Sequence, residues 1–175
     1  TPRDLDPYHK SEGHPGPEDL ERFRNMLAAA KSPVMIVGGG GWDREACERI
    51  ETFAVANGVP VGASFRCQDY FDNRHPNYVG HIGIGLPEPL KQRLENTDLM
   101  IVLGSRLGEI TTGGYTLLDI PRPKQTLVHI HAGAEELGQV YQADLPINAA
   151  PRAFAAALAR MEPVDSSAWK ASTAQ

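Results

Sequence analysis

The chain has 175 residues, of which 41% are hydrophobic and 22% charged, and a formal net charge of -5. This length suits one domain that buries about 70% of its unfolded surface without disulfides or metals. The negative charge argues against nucleic acid or an anionic membrane as a partner. Two cysteines are too few for a disulfide framework, and no segment approaches the roughly 20 apolar residues that cross a bilayer. We therefore expect a cytoplasmic protein that binds neither nucleic acid nor membrane.

The first third of the chain alternates between helical and strand patterns. Residues 1–16 combine prolines, glycines and charges, which predicts an incoming linker. A helix is predicted over 17–31, because apolar side chains recur at helical spacing and proline suits the first turn. The apolar run 33–37 predicts a buried strand, which leads directly into four glycines at 38–41. A second helix is predicted from about residue 43 to an Asn-Gly stop at 57–58.

The glycines at 38–41 are the most informative feature of this pattern. Without Cβ atoms the backbone can approach a ligand closely and adopt left-handed dihedrals. The first turn of the following helix has unpaired N–H groups that favour an anion. Together these features predict a loop that binds a dinucleotide or a diphosphate. The G-x-G-x-x-G fingerprint is incomplete, because Asp43 stands where the third glycine is required, and a plain strand-to-helix turn is the alternative.

The remaining two thirds of the chain continue the alternation. Strands are predicted at 59–63, near 78–79, and at 98–104, 126–130 and 145–147, and helices at 86–96 and 148–161. From residue 162 the composition turns polar, which predicts an outgoing linker. Unbroken apolar runs indicate strands that are covered on both faces. The pattern predicts a three-layer α/β/α domain over 17–161, doubly wound around a six-stranded, mainly parallel sheet of the Rossmann-like, DHS-like NAD/FAD-binding type.

The predicted topology also locates a candidate site. In a doubly wound sheet, ligands bind beyond the carboxyl ends of the strands, where the strand order reverses. Glycine-bearing loops follow predicted strands at 38–41, 80–85 and 104–108. If the first and fourth strands are neighbours, these loops converge on one crevice. The predicted cofactor-binding residues are Gly38, Gly39, Gly40, Gly80, His81, Gly83, Gly104, Ser105 and Arg106.

Individual side chains add detail to this prediction. Arg106 follows a buried strand closely, where a guanidinium can make a charge-assisted contact worth about 1.5–3 kcal/mol with a phosphate; a solvated loop charge is the alternative. His81 is flanked by glycines and is the histidine best placed to touch a ligand, whereas His129 is expected to be a hydrogen-bonded core residue. The sequence shows no nucleophile-base-orienter set, no metal-ligand spacing and no Walker sequence. We predict a binding domain without catalytic or metal-ligating residues.

Six short segments occur in order over about three quarters of the chain. They are Ser-Pro-Val-Met-Ile-Val-Gly-Gly-Gly at 32–40, Asn-Gly-Val-Pro-Val at 57–61, His-Pro-Asn-Tyr-Val-Gly-His-Ile-Gly at 75–83, Thr-Asp-Leu-Met-Ile-Val-Leu-Gly-Ser-Arg-Leu at 97–107, Leu-Val-His-Ile-His at 127–131 and Ala-Asp-Leu-Pro-Ile at 143–147. Together they resemble the central domain of thiamine-diphosphate-dependent enzymes of the acetolactate synthase and benzoylformate decarboxylase type.

The resemblance implies a parent enzyme in which a pyrimidine-binding domain precedes this domain and a diphosphate-binding domain follows it. Such enzymes are dimers or tetramers that use thiamine diphosphate and magnesium to make or break carbon-carbon bonds of 2-oxo acids. Their activating glutamate and their Gly-Asp-Gly magnesium motif belong to the outer domains, and no Gly-Asp-Gly occurs here. We therefore expect an excised central domain that acts as a scaffold and is inactive alone.

The resemblance also bears on nucleotide binding. In relatives that bind FAD or ADP, the three glycine loops hold the nucleotide. Those relatives commonly read His-Ile-Asp-Ile-Asp-Pro where this chain has His-Ile-His-Ala-Gly-Ala at 129–134, so two carboxylates that can hold ribose hydroxyls are missing. This departure counts against FAD or ADP. A free-standing NAD(P)- or FAD-binding module of related fold is the alternative function.

Overall fold

The structure is a computed structural model that describes residues 11–173. In this part of the chain the strands are β1 (Pro33–Val37), β2 (Val61–Ser64), β3 (Tyr78–Ile82), β4 (Leu99–Leu103), β5 (Thr126–His131) and β6 (Leu145–Asn148). The α-helices are α1 (Pro17–Ala29), α2 (Arg44–Asn57), α3 (Glu88–Asn96), α4 (Pro151–Leu158) and α5 (Lys170–Thr173). Residues 1–10 of the predicted incoming linker and 174–175 of the outgoing one lie outside the described residues. None of the described helices has the length and apolar character to cross a membrane.

The six strands form one parallel sheet in the order β3-β2-β1-β4-β5-β6. The strand order reverses beside β1, which pairs with β2 on one side and β4 on the other. Val37 is in register with Leu103, so β1 and β4 end at the same level and their loops leave the sheet side by side. The predicted α/β/α fold with a doubly wound, six-stranded sheet is confirmed, and the sheet is parallel throughout.

Apolar side chains cover both faces of the sheet, because successive residues of a strand point to opposite faces. Met35 and Ile101 belong to the layer that α1, α2 and α4 cover. Ile36 and Val102 belong to the layer that α3 and the loops after β4 and β5 cover. This two-sided burial explains why the strands read as unbroken apolar runs in the sequence.

Local capping determines where the helices begin and end. The side chain of Asp43 accepts a hydrogen bond from the N–H of Ala46 at 2.8 Å, and Gly58 ends α2 in the left-handed conformation at φ 62°. Helix α4 starts at Pro151, later than predicted, because β6 continues to Asn148. Strand β3 is longer than predicted. Periodicity located these elements, whereas proline, glycine and aspartate set their bounds.

Residues 164–173 pack against the carboxyl end of α2, although their composition assigns them to an outgoing linker. The buried Asn57 accepts a hydrogen bond from the N–H of Val164 at 2.9 Å, and its carbonyl accepts one from the indole of Trp169 at 3.1 Å. The hydroxyl of Thr173 donates to the carbonyl of Gly58 at 2.6 Å. Trp169 is buried in the apolar layer that α1, α2 and α4 cover. A few anchoring side chains therefore tie a polar segment to the domain.

Replacement of Asn57 tests whether its buried side-chain amide anchors the segment 164–173. Asn57→Ala is expected to lower the free energy of unfolding by about 1–3 kcal/mol, because the buried N–H of Val164 loses its acceptor. Urea denaturation measures the change. Asn25→Ala, at an exposed position of α1, is the matched control and should change stability by less than about 0.5 kcal/mol. Equal stability of the two variants would contradict the anchoring role of Asn57.

Candidate functional site

The loops after β1 and β4 are in direct backbone contact at the switch point. A Cβ atom on Gly39 would lie 2.7 Å from the carbonyl carbon of Gly104, and one on Gly104 would lie 2.5 Å from the carbonyl oxygen of Gly38. Gly39 and Gly104 also adopt left-handed φ values of 71° and 77°. These glycines therefore allow the two loops to pack directly against each other.

The carbonyl oxygens of the glycine loop have partners within the domain. The indole N–H of Trp42 donates to the Gly38 carbonyl at 2.8 Å, and the hydroxyl of Tyr70 donates to the Gly39 carbonyl at 2.8 Å. The rings of Trp42 and Tyr70 stack with their centroids 5.0 Å apart. This aromatic pair ties the glycine loop to the segments on either side of it.

A carboxylate of the chain itself occupies the amino end of α2. Asp43, the residue that interrupts the glycine fingerprint, caps the helix through the N–H of Ala46. An Arg152 nitrogen lies 3.5 Å from the Asp43 carboxylate, and Arg152 also pairs with Glu12. The position where a helix would bind an external anion is thus held by a built-in anion.

A cleft of about 490 Å³ lies at the carboxyl ends of β2, β1, β4 and β5. Three of the predicted site residues, Gly39, Ser105 and Arg106, line this cleft. Its walls are completed by His129 and by residues from the segments 64–67, 107–115 and 136–141, which are not among the nine predicted site residues. No motif surrounds them; only the observation that loops after neighbouring strands share one edge could have indicated them.

The other predicted site residues lie elsewhere. Gly40 and Gly104 line a second cleft of about 380 Å³. Gly83 lines a third cleft of about 520 Å³, and Gly38 is buried between Ser64 and Ser105. Gly80 and His81 lie on β3, which β2 separates from β1. The structure therefore brings the loops after β1 and β4 together and leaves the 80–83 segment at the outer edge of the sheet.

The charges around the 490 Å³ cleft are mainly negative. Arg106 is exposed, and its Nη1 lies 3.5 Å from the Oε1 of Glu136. Glu109 and Glu136 both line the cleft, so two carboxylates accompany one guanidinium. This balance opposes the binding of a diphosphate. Within residues 11–173, no group of three or more His, Cys, Asp and Glu residues is placed to hold a metal ion.

His129 is a buried wall residue of the cleft. It is 3% exposed, and its Nε2–H donates to the carbonyl oxygen of Ser105 at 3.0 Å, as expected for a hydrogen-bonded core histidine. Burial lowers the pKa of His129, and the hydrogen bond to Ser105 only partly opposes this effect. The imidazole is therefore neutral near pH 7 and adds no positive charge to the cleft.

Two buried polar atoms have no hydrogen-bond partner among the described residues near the carboxyl edge. One is the hydroxyl of Tyr141, a residue of the cleft wall. The other is Nε2 of His81, whose ring centroid lies 6.1 Å from that of Phe65. Ordered water or a ligand usually satisfies such atoms. Tyr141 was not indicated by the sequence, because no motif contains it.

Glu135 places a carboxylate close to one of the two positions where relatives carry aspartate and this chain does not. A Cβ atom on Gly133 would lie 2.8 Å from the carboxyl carbon of Glu135. The Glu135 carboxylate therefore fills the volume that a side chain at position 133 would occupy. Comparison of motifs position by position misses this, because the side chain reaches back from two residues further along the chain.

The family described as "Thiamine pyrophosphate enzyme, central domain" matches residues 20–158. The match covers most of the chain and includes all three glycine loops. The chain belongs to this family. The predicted resemblance is confirmed.

Two enzymes are similar in sequence to this central domain. It is 30% identical to an acetolactate synthase from Mycobacterium avium, over 81% of this chain and 22% of that protein. It is 30% identical to a sulfoacetaldehyde acetyltransferase from Alcaligenes xylosoxydans xylosoxydans, over 88% of this chain and 26% of that protein. The chain therefore spans about a quarter of the length of these relatives.

A solved structure shares the fold of the central domain. It is an enzyme from Mycobacterium smegmatis that is assigned as thiamin diphosphate-dependent. The two superpose with a TM-score of 0.70 over 91% of this chain and 31% of that chain, at 22% sequence identity. This likeness supports the architecture.

Two neighbouring glycines of the first loop should respond differently to substitution. Gly39→Ala is expected to destabilise the domain by about 2–4 kcal/mol, because alanine is strained at a left-handed φ and its Cβ would collide with the Gly104 backbone. Gly40→Ala should be neutral or stabilising by up to about 1 kcal/mol, since its Cβ would meet no atom within 4 Å. Chemical denaturation compares the two; equal effects would contradict the loop-to-loop contact.

The lowered pKa of His129 predicts a pH dependence of stability. In the unfolded chain histidine titrates near pH 6.5, so the unfolded state binds more protons than the folded state as the pH falls through that value. The contribution of His129 to the free energy of unfolding should therefore be largest above about pH 6.5 and decrease as the pH falls below that value. His129→Gln should reduce this slope, because it removes the titrating imidazole. An unchanged slope in His129→Gln would refute the assignment.

Proposed function

We propose that this chain is the central domain of a larger enzyme that uses thiamine diphosphate and magnesium to make or break carbon-carbon bonds of 2-oxo acids. The family match over residues 20–158 carries this proposal. The short span of the chain relative to an acetolactate synthase and a sulfoacetaldehyde acetyltransferase supports a parent with further domains. A cytoplasmic location and a homo-oligomeric parent, a dimer or a tetramer, stay predictions.

The described residues do not fit thiamine diphosphate or its magnesium ion. They contain no cluster of metal ligands, and the cleft at the switch point is lined by two carboxylates and one guanidinium. We assign no step of the reaction to this chain. In the proposed parent, the domains before and after it hold the cofactor, and the chain alone is inactive.

The proposed role of the chain is structural. Its parallel sheet is covered on both faces, and the loops at the switch point are fixed to each other and to the pair of Trp42 and Tyr70. Such a rigid unit can hold two catalytic domains at a fixed separation, and precise separation is what reactions between bound groups require.

The crevice between Gly38–Gly40 and Gly104–Arg106 is where FAD or ADP would bind, yet its chemistry does not fit a diphosphate. Asp43 occupies the amino end of α2, and Arg106 is paired with Glu136. The Glu135 carboxylate can accept a hydrogen bond from a sugar hydroxyl. Among the described residues of this crevice, however, no positively charged side chain without an ion-pair partner remains to bind the phosphates. We infer that the domain works without a resident nucleotide.

Calorimetry on two samples tests the proposed function. The parent enzyme is expected to bind thiamine diphosphate in the presence of magnesium and to turn over a 2-oxo acid such as pyruvate. The 175-residue chain alone is expected to do neither. Binding of thiamine diphosphate by the isolated chain, or its absence from the parent, would overturn the proposal.

A titration with ADP tests the nucleotide inference separately. The isolated chain is expected to give no saturable heat with ADP, because carboxylates oppose the phosphates at the cleft. Saturable binding in the wild type that Arg106→Ala abolishes would place a nucleotide in the crevice and refute the inference. Arg122→Ala, at an exposed position outside the described clefts, is the control for loss of a positive charge.

A further inference from the structure

Asn57 and Gly58 form the only Asn-Gly pair in the sequence. The backbone nitrogen that follows an asparagine can attack the side-chain carbonyl carbon, and glycine hinders this attack least because it has no Cβ atom. The attack releases ammonia, and water then converts the product to aspartate or isoaspartate. The sequence therefore contains one pair of residues at which deamidation is chemically favoured.

Both reacting groups of this pair are bonded to α2 in the folded domain. Asn57 is the last residue of the helix, and the N–H of Gly58 donates to the carbonyls of Ala54 and Val55 in the preceding turn. The side-chain Nδ2–H of Asn57 donates to the carbonyl of Phe53 at 3.0 Å. The attacking nitrogen and the leaving amide are thus each engaged with the helix and not with each other.

The segment 164–173 covers the pair from the outside. The N–H of Val164 donates to the Oδ1 of Asn57, the oxygen of the carbonyl that would be attacked, at 2.9 Å. A Cβ atom on Gly58 would lie 3.0 Å from the Cγ of Lys170, so the Lys170 side chain lies over the Gly58 backbone. Asn57 is 1% exposed as a result. The water that the reaction consumes has no open path to this side chain while the segment is in place.

When the segment opens, the reaction follows a defined course. The Gly58 nitrogen forms a bond to the Cγ of Asn57, the bond between Cγ and Nδ2 breaks, and ammonia leaves with the proton of the Gly58 N–H. Water then opens the cyclic imide at either of its carbonyls, which gives aspartate or isoaspartate. No oxidant, reductant or enzyme is needed for these steps.

The product does not replace the amide in the anchor. A carboxylate has no N–H to donate to the carbonyl of Phe53, and its negative charge would lie at a position that is 1% exposed. The charge would also stand at the carboxyl end of α2, where the helix dipole disfavours an anion. Closure of the segment is therefore destabilised once the amide is lost.

We propose that Asn57 is a deamidation site that the segment 164–173 protects, and that its deamidation releases this segment irreversibly. The segment and the side chain depend on each other, because the segment shields the amide and the amide anchors the segment. Each opening of the segment exposes Asn57 to a chemical change that closure does not reverse. This inference does not depend on the proposed function of the domain.

Incubation of the 175-residue chain in mildly alkaline buffer, followed by digestion and mass spectrometry, tests the protection. Trp169→Phe with Thr173→Val removes two hydrogen bonds from the segment to the carbonyls of Asn57 and Gly58 and keeps most of the side-chain volume. This double variant is expected to lose the Asn57 amide severalfold faster than the wild type. Thr52→Val, at an exposed position of α2, is the control and should match the wild type.

A second measurement applies if the double variant does not fold. The wild-type chain unfolded in urea is expected to lose the Asn57 amide severalfold faster than the folded chain under otherwise equal conditions. Asn25, which is exposed in α1 and precedes Met26, is the internal reference in the same digests. Equal rates at Asn57 in folded and unfolded wild type, or in the wild type and a folded double variant, would overturn the protection.

The release of the segment is tested with Asn57→Asp, which introduces the product side chain directly. Lys170 is the only trypsin site within 164–173. Cleavage after Lys170 at neutral pH is expected to be severalfold faster in Asn57→Asp than in the wild type, because the segment is no longer anchored. Asn25→Asp is the matched control and should be cleaved there at the wild-type rate. Cleavage of Asn57→Asp at the wild-type rate would overturn the release.

Discussion

The pairing of β1 with β4 is the constraint on which the rest of the domain depends. The two strands end in register at Val37 and Leu103, so their loops must leave the sheet at the same place. Two loops can share that space only if their backbones touch, and Gly39 and Gly104 have no side chains to prevent it. The reversal of strand order, the position of the clefts and the orientation of α2 all follow from this junction.

This junction changes the meaning of the glycine run. Glycines after a first strand are often interpreted as a place where the backbone meets a phosphate. Here the backbone meets a second loop, the carbonyls are bonded to Trp42 and Tyr70, and Asp43 caps the helix. The same local sequence can therefore serve packing alone. Three-dimensional contacts distinguish the two uses, whereas the glycine spacing indicates only that the fingerprint is incomplete.

The sequence predicted the fold well but indicated few of the residues that line the clefts, for a physical reason. Strands buried on both faces leave unbroken apolar runs, such as 99–103, and switch-point topology follows from their order along the chain. Contacts between loops leave no comparable signal. Glu135 reaches back to position 133, and Asn57 and Trp169 fix a tail whose composition is that of a linker. These features depend on single side chains that meet across the fold, and periodicity carries no information about them.

The two described ends of the chain lie near opposite ends of α2. At its amino end, the Asp43 carboxylate and Arg152 connect α2 to Glu12 of the incoming segment. At its carboxyl end, Asn57 holds the segment that leaves the domain. With 14 residues, α2 is about 21 Å long. The length of α2 thus separates the point where the described chain enters the domain from the point where it leaves.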